Sequence, residues 1–290
     1  MERGRAINGD PTHVAVQRGR HNSGMSLPGP YPDGLNEEDG QLTYGSYLRL
    51  TRLLAQQVPK ADPPAHDELM FITVHQVYEL WFQLLLHELE TARDAMTGGQ
   101  AWQAKHLMRR VHAIERLLIT QLDILETMTP QDFLQFRSLL SPASGFQSVQ
   151  YRELEFLSGV KDERFVGRFR SLSDTERNRL LSRLAEPSLW DGYLELLAAR
   201  GLPTDCDDDV LLALRKVALD RAAHDDLWQL AEDLLMHDEL AGIWRARHVM
   251  MVERQIGTKP GTGGSPGAPY LHKRVSLRYY PLLWELRNHL

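Results

Sequence analysis

Cysteine is nearly absent: Cys206 is the only one in 290 residues. A disulfide framework and a thiolate-held metal cluster are both excluded by that count, and Asp205 and Asp207 on either side oppose ionisation of the thiol. A basic excess is also missing. The formal net charge is −6, so the chain has no surplus of cations to release phosphate counterions, and nucleic acid is excluded as the main partner. Long apolar runs are few. The best of them, 69–86, is interrupted by His75, Gln76, Glu79 and Gln83, which argues against a membrane span. The first twenty residues carry basic side chains with no apolar run behind them, unlike a signal peptide. The expectation is a chain of the reducing cytoplasm, without membrane contact. Strand signals are scarce as well: no hairpin dipeptide sits between two alternating apolar runs.

What is present is enough apolar mass for a sizeable core, 42% of residues. Residues 1–40 hold glycines, prolines and scattered charges without an apolar period. They read as a tail, disordered or docked on a neighbouring subunit. From there the caps and periods predict helices over 41–58, 67–97, 101–128, a short one after Thr129 that stops before Pro142, then 146–157, 174–185, 187–200 and 209–256 with a break near His224. A glycine-rich loop, GTKPGTGGSPG, and a last short helical segment follow. The expected fold is all-α, one helical domain over 41–290.

The helix over 67–97 is apolar nearly all round, which belongs at the centre of a bundle. Within it His75 and Glu79 are one turn apart, either as a core hydrogen-bond pair or with His75 on the wall of a cavity. On the last long helix His237, Ala241, Trp244, His248, Val252 and Gln255 form one stripe, where Trp244 is placed to pack on the His248 ring. Two buried histidines on separate central helices suit a flat cofactor faced from both sides. Phe133 and Arg137 share a face of the short helix, a ring beside a guanidinium that suits a ligand with a flat apolar body and a carboxylate. Tyr44 and Tyr47 sit one turn apart and read equally as core packing. Thr262 among the loop glycines suits a mobile lid that carries one hydroxyl.

Other chemistries fail on spacing. None of the twelve histidines follows a Glu by three positions, which a carboxylate-bridged di-iron bundle requires, and His-Glu-x-x-His is absent. The His-Asp-Glu triples that begin at His66 and His237 read as solvated or capping groups. Gly263, Ser265 and Gly267 match a nucleophile elbow in letters only, because a helix rather than a strand precedes them and Pro266 follows the serine. Two competing classes are nonetheless carried: a hydrolase using Ser265, and a helical ligand-binding or scaffold protein without turnover.

The stretches LTYGSYLRL, HDELMFITVHQVYELW, FRSLLSPASGFQSVQYRELEF, WRARHVMMVERQIG and KPGTGGSPGAPYL, in this order between Leu42 and Leu271, resemble the tryptophan 2,3-dioxygenase family. The segment 159–239 matches it loosely. The resemblance implies haem b bound between central helices, with His248 as the proximal ligand of the iron and Trp244 beside it. It implies His75 as the distal histidine that hydrogen-bonds the indole nitrogen. Phe71 and Phe133 would line the indole pocket, Arg137 would hold the carboxylate and Thr262 would contact the amino-acid end. Tyr44 and Tyr47 would come from a neighbouring subunit of a homotetramer. The implied reaction inserts both atoms of O2 across the C2–C3 bond of L-tryptophan to give N-formylkynurenine. The alternative is a relative in natural-product synthesis that adds one oxygen atom to tryptophan or an indole derivative. Three departures from the family pattern bear on this choice. Pro266 stands where a second serine is expected, Ala246 replaces an aromatic residue, which is expected to leave room beside the haem, and HDELAGIW, ending at Trp244, departs from the usual acidic-aromatic pattern.

Overall fold

The computed structural model describes residues 42–168, 172–264 and 266–290. The expected tail, 1–40, and Ser265 lie outside the described residues. The chain divides into two compact units, Met1–Gln56 and Gln57–Leu290. Every regular element among the described residues is helical.

The first unit contains α1 (Tyr44–Tyr47) and α2 (Leu50–Leu53). The sequence predicts one continuous helix here. Arg49 breaks it by adopting a left-handed conformation with φ 52, which no helix interior accommodates. Thr43 opens α1 through a reciprocal capping box with Ser46.

The second unit carries α3 (His66–Thr97), α4 (Ala101–Leu125), α5 (Pro130–Leu134), α6 (Val149–Leu157), α7 (Arg164–Arg168), α8 (Asp174–Ala185) and α9 (Leu189–Ala199). It continues with α10 (Asp207–Leu219), α11 (Arg221–Ile256), α12 (Ala268–Val275) and α13 (Pro281–Glu285), and 3₁₀ turns follow α5, precede α6 and follow α13. The starts follow from the sequence. Thr129 and Asp132 form a capping box with Pro130 in the first turn of α5, and Ser173 and Ser188 cap α8 and α9 in the same way. Asp220 separates α10 from α11 and caps the latter, and His224 stands at a kink inside α11.

α3 is the central element. It packs on α4, α6 and α9, and α11 lies along α4 and against α10 and α12. By length and composition alone α3 would cross a membrane. Instead its residues Val74, Tyr78, Phe82, Leu85, Leu86 and Leu89 are buried in a core shared with α4, α9, α10 and α11. Burial of such side chains is worth about 1.5–3 kcal/mol each, which fixes α3 inside the protein. A smaller cluster of Ala65, Met128 and Phe136, with Phe71 and Phe133 against it, joins the start of α3 to α5.

The two His-Asp-Glu triples are solvated only in part, at His66 and Glu239. His66 is exposed, but Glu68 is buried and accepts hydrogen bonds from the backbone N–H groups of Lys60 (2.7 Å) and Ala61 (2.9 Å), which pins the segment before α3. His237 and Asp238 are buried too. His237 bridges the Glu115 carboxylate (2.6 Å) and the Ser158 hydroxyl (2.9 Å), and Asp238 accepts from the Trp284 indole (2.9 Å). Adjacent residues on a helix do point apart, and Glu68, His237 and Asp238 each find partners on another segment.

Candidate functional site

A cavity of about 280 Å³ lies between α3, α5, α6, α11 and α12, lined by Phe71, His75, Phe133, Arg137, Trp244 and His248 among others. Three of its rings, backed by Phe136 from the core, meet at one end. The Phe71 ring lies 4.1 Å from His75, 5.6 Å from Phe133 in a stacked arrangement, and 5.5 Å from the edge-on Phe136. Phe136 is fully buried, so the group is backed by core rather than by solvent.

His75 does not pair with Glu79. Its Nδ1 donates to the Phe71 carbonyl one turn back (2.7 Å), while the Glu79 carboxylate accepts from the Gln150 amide (2.8 Å). Burial pushes the His75 pKa down, opposed by the Phe71 carbonyl and the Glu79 charge. The neutral ring therefore has its proton on Nδ1, because a carbonyl can only accept. Nε2, on the far side of the ring from the helix backbone, is left with a lone pair.

His248 lies on α11 and is the second imidazole of the wall. Burial, and secondarily the nearby His75, lower its pKa to about 4. Trp244, one turn earlier, stacks on it with ring centroids 5.0 Å apart and planes 13° from parallel. Trp244 is in turn wedged by Tyr151 (5.3 Å) and Tyr78 (6.1 Å). No hydrogen-bond partner holds either nitrogen of His248 among the described residues. Only solvent or a ligand in the cavity is left to use its lone pair.

The glycine loop closes another side. Arg137 donates to the Pro260 carbonyl (2.6 Å) and Thr262 donates to the Ala143 carbonyl (2.6 Å), so the loop is latched at two points onto the segment after α5. This approach is possible only with glycine. A Cβ on Gly263 would stand 2.6 Å from Cβ of Ser144, and one on Gly267, at φ +70, would stand 2.4 Å from the Lys259 carbonyl oxygen.

The sequence-derived residues His75, His248, Trp244, Phe71, Phe133, Arg137 and Thr262 thus line one cavity. Tyr44 and Tyr47 belong to the first unit and are 70% and 71% exposed, which corrects the core-packing reading for them. Ala246 is not among the lining residues, so the room it was expected to leave does not open into the cavity. Sequence reasoning missed the charged part of the wall: Arg152 and Glu155 on α6, Arg245 on α11, and Arg274 with Tyr270 on α12. Its one sequence signal is QYRELEF, where an Arg and a Glu three apart interrupt an otherwise apolar face.

An all-α bundle with a largely apolar cavity that holds two neutral imidazoles from different helices defines a small-molecule site. The sequence profile described as Tryptophan 2,3-dioxygenase matches residues 33–210 and 214–290. A protein named tryptophan 2,3-dioxygenase from a Nocardioides species is 60% identical over 258 residues, covering 88% of this chain and 97% of that protein. Proteins of the same name from Myxococcus xanthus and Herpetosiphon aurantiacus are 39% and 42% identical, over 91% and 85% of this chain and 97% of each relative. The chain belongs to the tryptophan 2,3-dioxygenase family.

Proposed function

We propose that this chain is a haem-dependent dioxygenase that cleaves the indole ring of L-tryptophan to N-formylkynurenine. The observation that carries the reading is the pair of neutral histidines across one aromatic cavity, in a chain 60% identical to a named tryptophan 2,3-dioxygenase.

The residues present fit haem b. His248 has the properties of a proximal ligand: a deprotonated ring, no competing hydrogen bond among the described residues, and an indole face that fixes its orientation. The rest of the wall is predominantly apolar and aromatic, as a porphyrin requires. Bound haem supplies the iron that activates O2.

The protein's own part is positioning. Phe71 and Phe133 form a slot for the indole ring, and Nε2 of His75 accepts the hydrogen bond of the indole N–H. Arg137 keeps donors free beside its bond to Pro260 and takes the substrate carboxylate, while the loop held by Thr262 covers the amino-acid end and excludes water. Both atoms of O2 end on the product, one on each carbon of the broken C2–C3 bond, so no external reductant is consumed per turnover. Tyr44, Tyr47 and Leu42, exposed in the first unit, are the surface a neighbouring copy would cover in a homotetramer. A reducing cytoplasm suits a chain whose one cysteine, Cys206, is exposed.

The test is an absorption spectrum of the purified, reduced protein with and without L-tryptophan. A haem band that shifts on adding L-tryptophan is expected. A colourless protein that turns over substrate would overturn the reading.

A further inference from the structure

HDELAGIW, where the chain departs from the family pattern, begins with His237, a residue with no part in the site. Its Nδ1 lies 2.6 Å from Oε1 of Glu115 on α4, and its Nε2 lies 2.9 Å from the hydroxyl of Ser158, which ends α6. This is the order of a hydrolytic triad. None of the three lines the cavity, however, and Ser158 is fully buried, so no acyl group reaches its hydroxyl.

The hydrogen count leaves two arrangements. The Ser158 hydroxyl has one hydrogen, and the Leu154 carbonyl, 2.7 Å away, can only accept. With that hydrogen on Leu154, the hydroxyl oxygen accepts from Nε2 and the Glu115 carboxylate accepts from Nδ1. Both ring nitrogens are then donors, and His237 is an imidazolium. Turning the hydroxyl towards Nε2 gives the other arrangement, a neutral ring. The Leu154 carbonyl then still keeps the backbone N–H of Ser158 (2.9 Å). One proton can therefore come and go with only hydrogens displaced.

Charge separates the two. Asp238 is fully buried, its Oδ2 accepting from the Trp284 indole and the Tyr280 backbone, and the buried Arg245 guanidinium balances it. Tyr279 and Tyr280, with rings 5.3 and 6.1 Å from His237, are kept neutral by burial. On α4, burial lowers the His112 pKa to about 4, so that ring is neutral, and Arg116 is exposed and screened by solvent. On α6, Glu155 is taken by Arg152 and Arg274. With the extra proton, Glu115 and His237 cancel. Without it, a second buried negative charge joins Asp238, where Oε2 of Glu115 and Oδ1 of Asp238 already lack partners among the described residues. Burial pushes the Glu115 pKa up, opposed by His237, so this carboxylate ionises with the imidazolium beside it and not alone.

We propose that Glu115 and His237 form a proton-dependent clamp, in which one buried proton lets His237 donate to both Glu115 and Ser158 and tie α11 to α4 and to the end of α6. Both α6 and α11 line the cavity, through Tyr151 and Glu155 on one and Trp244 and His248 on the other, so the clamp holds two of its walls together. Loss of the proton leaves the contacts but unbalances the buried charge, which weakens the clamp.

The unfolded chain gives up an imidazole proton near pH 6.5, so a pair that keeps it in the folded state loses stability as pH rises above that value. The experiment follows the thermal midpoint of the full-length protein, as purified, from about pH 6.5 to about pH 9.5, beside Glu115→Gln and His237→Gln. Groups elsewhere titrate alike in all three, and the difference isolates the pair. The midpoint of the unaltered protein is expected to fall over this window by at least about 3 °C more than that of either variant. Parallel profiles would overturn the clamp. A second measurement needs no variant. In protein carrying nitrogen-15 histidine, one ring with both nitrogens protonated is expected to persist in the magnetic-resonance spectrum at about pH 8, and its absence there would overturn the proposal as well.

Discussion

His75 illustrates how one hydrogen bond fixes a chemical role. Its Nδ1 is committed to the carbonyl of its own helix, so the only lone pair left is on Nε2. In His75→Ala the indole N–H loses an acceptor, a contact between neutral groups worth about 0.5–1.5 kcal/mol. Turnover should fall roughly threefold to tenfold at unchanged haem content. His248→Ala should instead lose the haem or leave it loosely held, read from the absorbance of the purified variant. If the two variants exchange these phenotypes, the histidines have each other's roles. Arg137 is tested by ligand choice. Truncating one partner of a buried charge pair costs about 2–5 kcal/mol, so Arg137→Leu should weaken L-tryptophan by far more than indole, which lacks a carboxylate. Equal losses in a binding titration would mean that Arg137 serves only to latch Pro260.

At the scale of helices, the bundle is held by buried polar links as well as apolar packing. His112 on α4 donates from Nε2 to the Asp233 carbonyl on α11 (2.9 Å), and burial pushes its pKa down to about 4. The unfolded chain binds that proton near pH 6.5, so this group makes stability fall as pH drops from about 6.5 to about 4 and level off below. The full effect is about 3 kcal/mol. His112→Gln keeps a donor for the carbonyl but cannot titrate, and its thermal midpoint should be less pH-dependent across that window than that of the unaltered protein; parallel profiles would remove His112 as the cause. The helices themselves were legible where local chemistry decides. α8 starts and stops at the residues its caps announce, and Thr129 with Pro130 set the start of α5. The region before Pro59 was misread because a conformational choice at one non-glycine residue, Arg49, broke an otherwise helical pattern. Burial of Glu68, His237 and Asp238 was illegible, since each finds its partner on another segment. The same holds for Glu155, whose second cation comes from Arg274, 119 residues away.

For the molecule as a whole, the sequence reading reached the cavity through two kinds of signal. The stripe on α11 and the apolar character of α3 placed His248 and His75 on central helices by periodicity alone. Phe133, Arg137 and Thr262 gained a shared destination only from the family resemblance, because their spacing along the chain carries no information about the loop that folds back onto the segment after α5. Ring cleavage is the central claim, and its signature is where the oxygen goes. Reduced protein given L-tryptophan and isotopically labelled O2, with the product analysed by mass spectrometry, should yield N-formylkynurenine carrying two labelled atoms. A ring-intact hydroxylated product with a single labelled atom would contradict it.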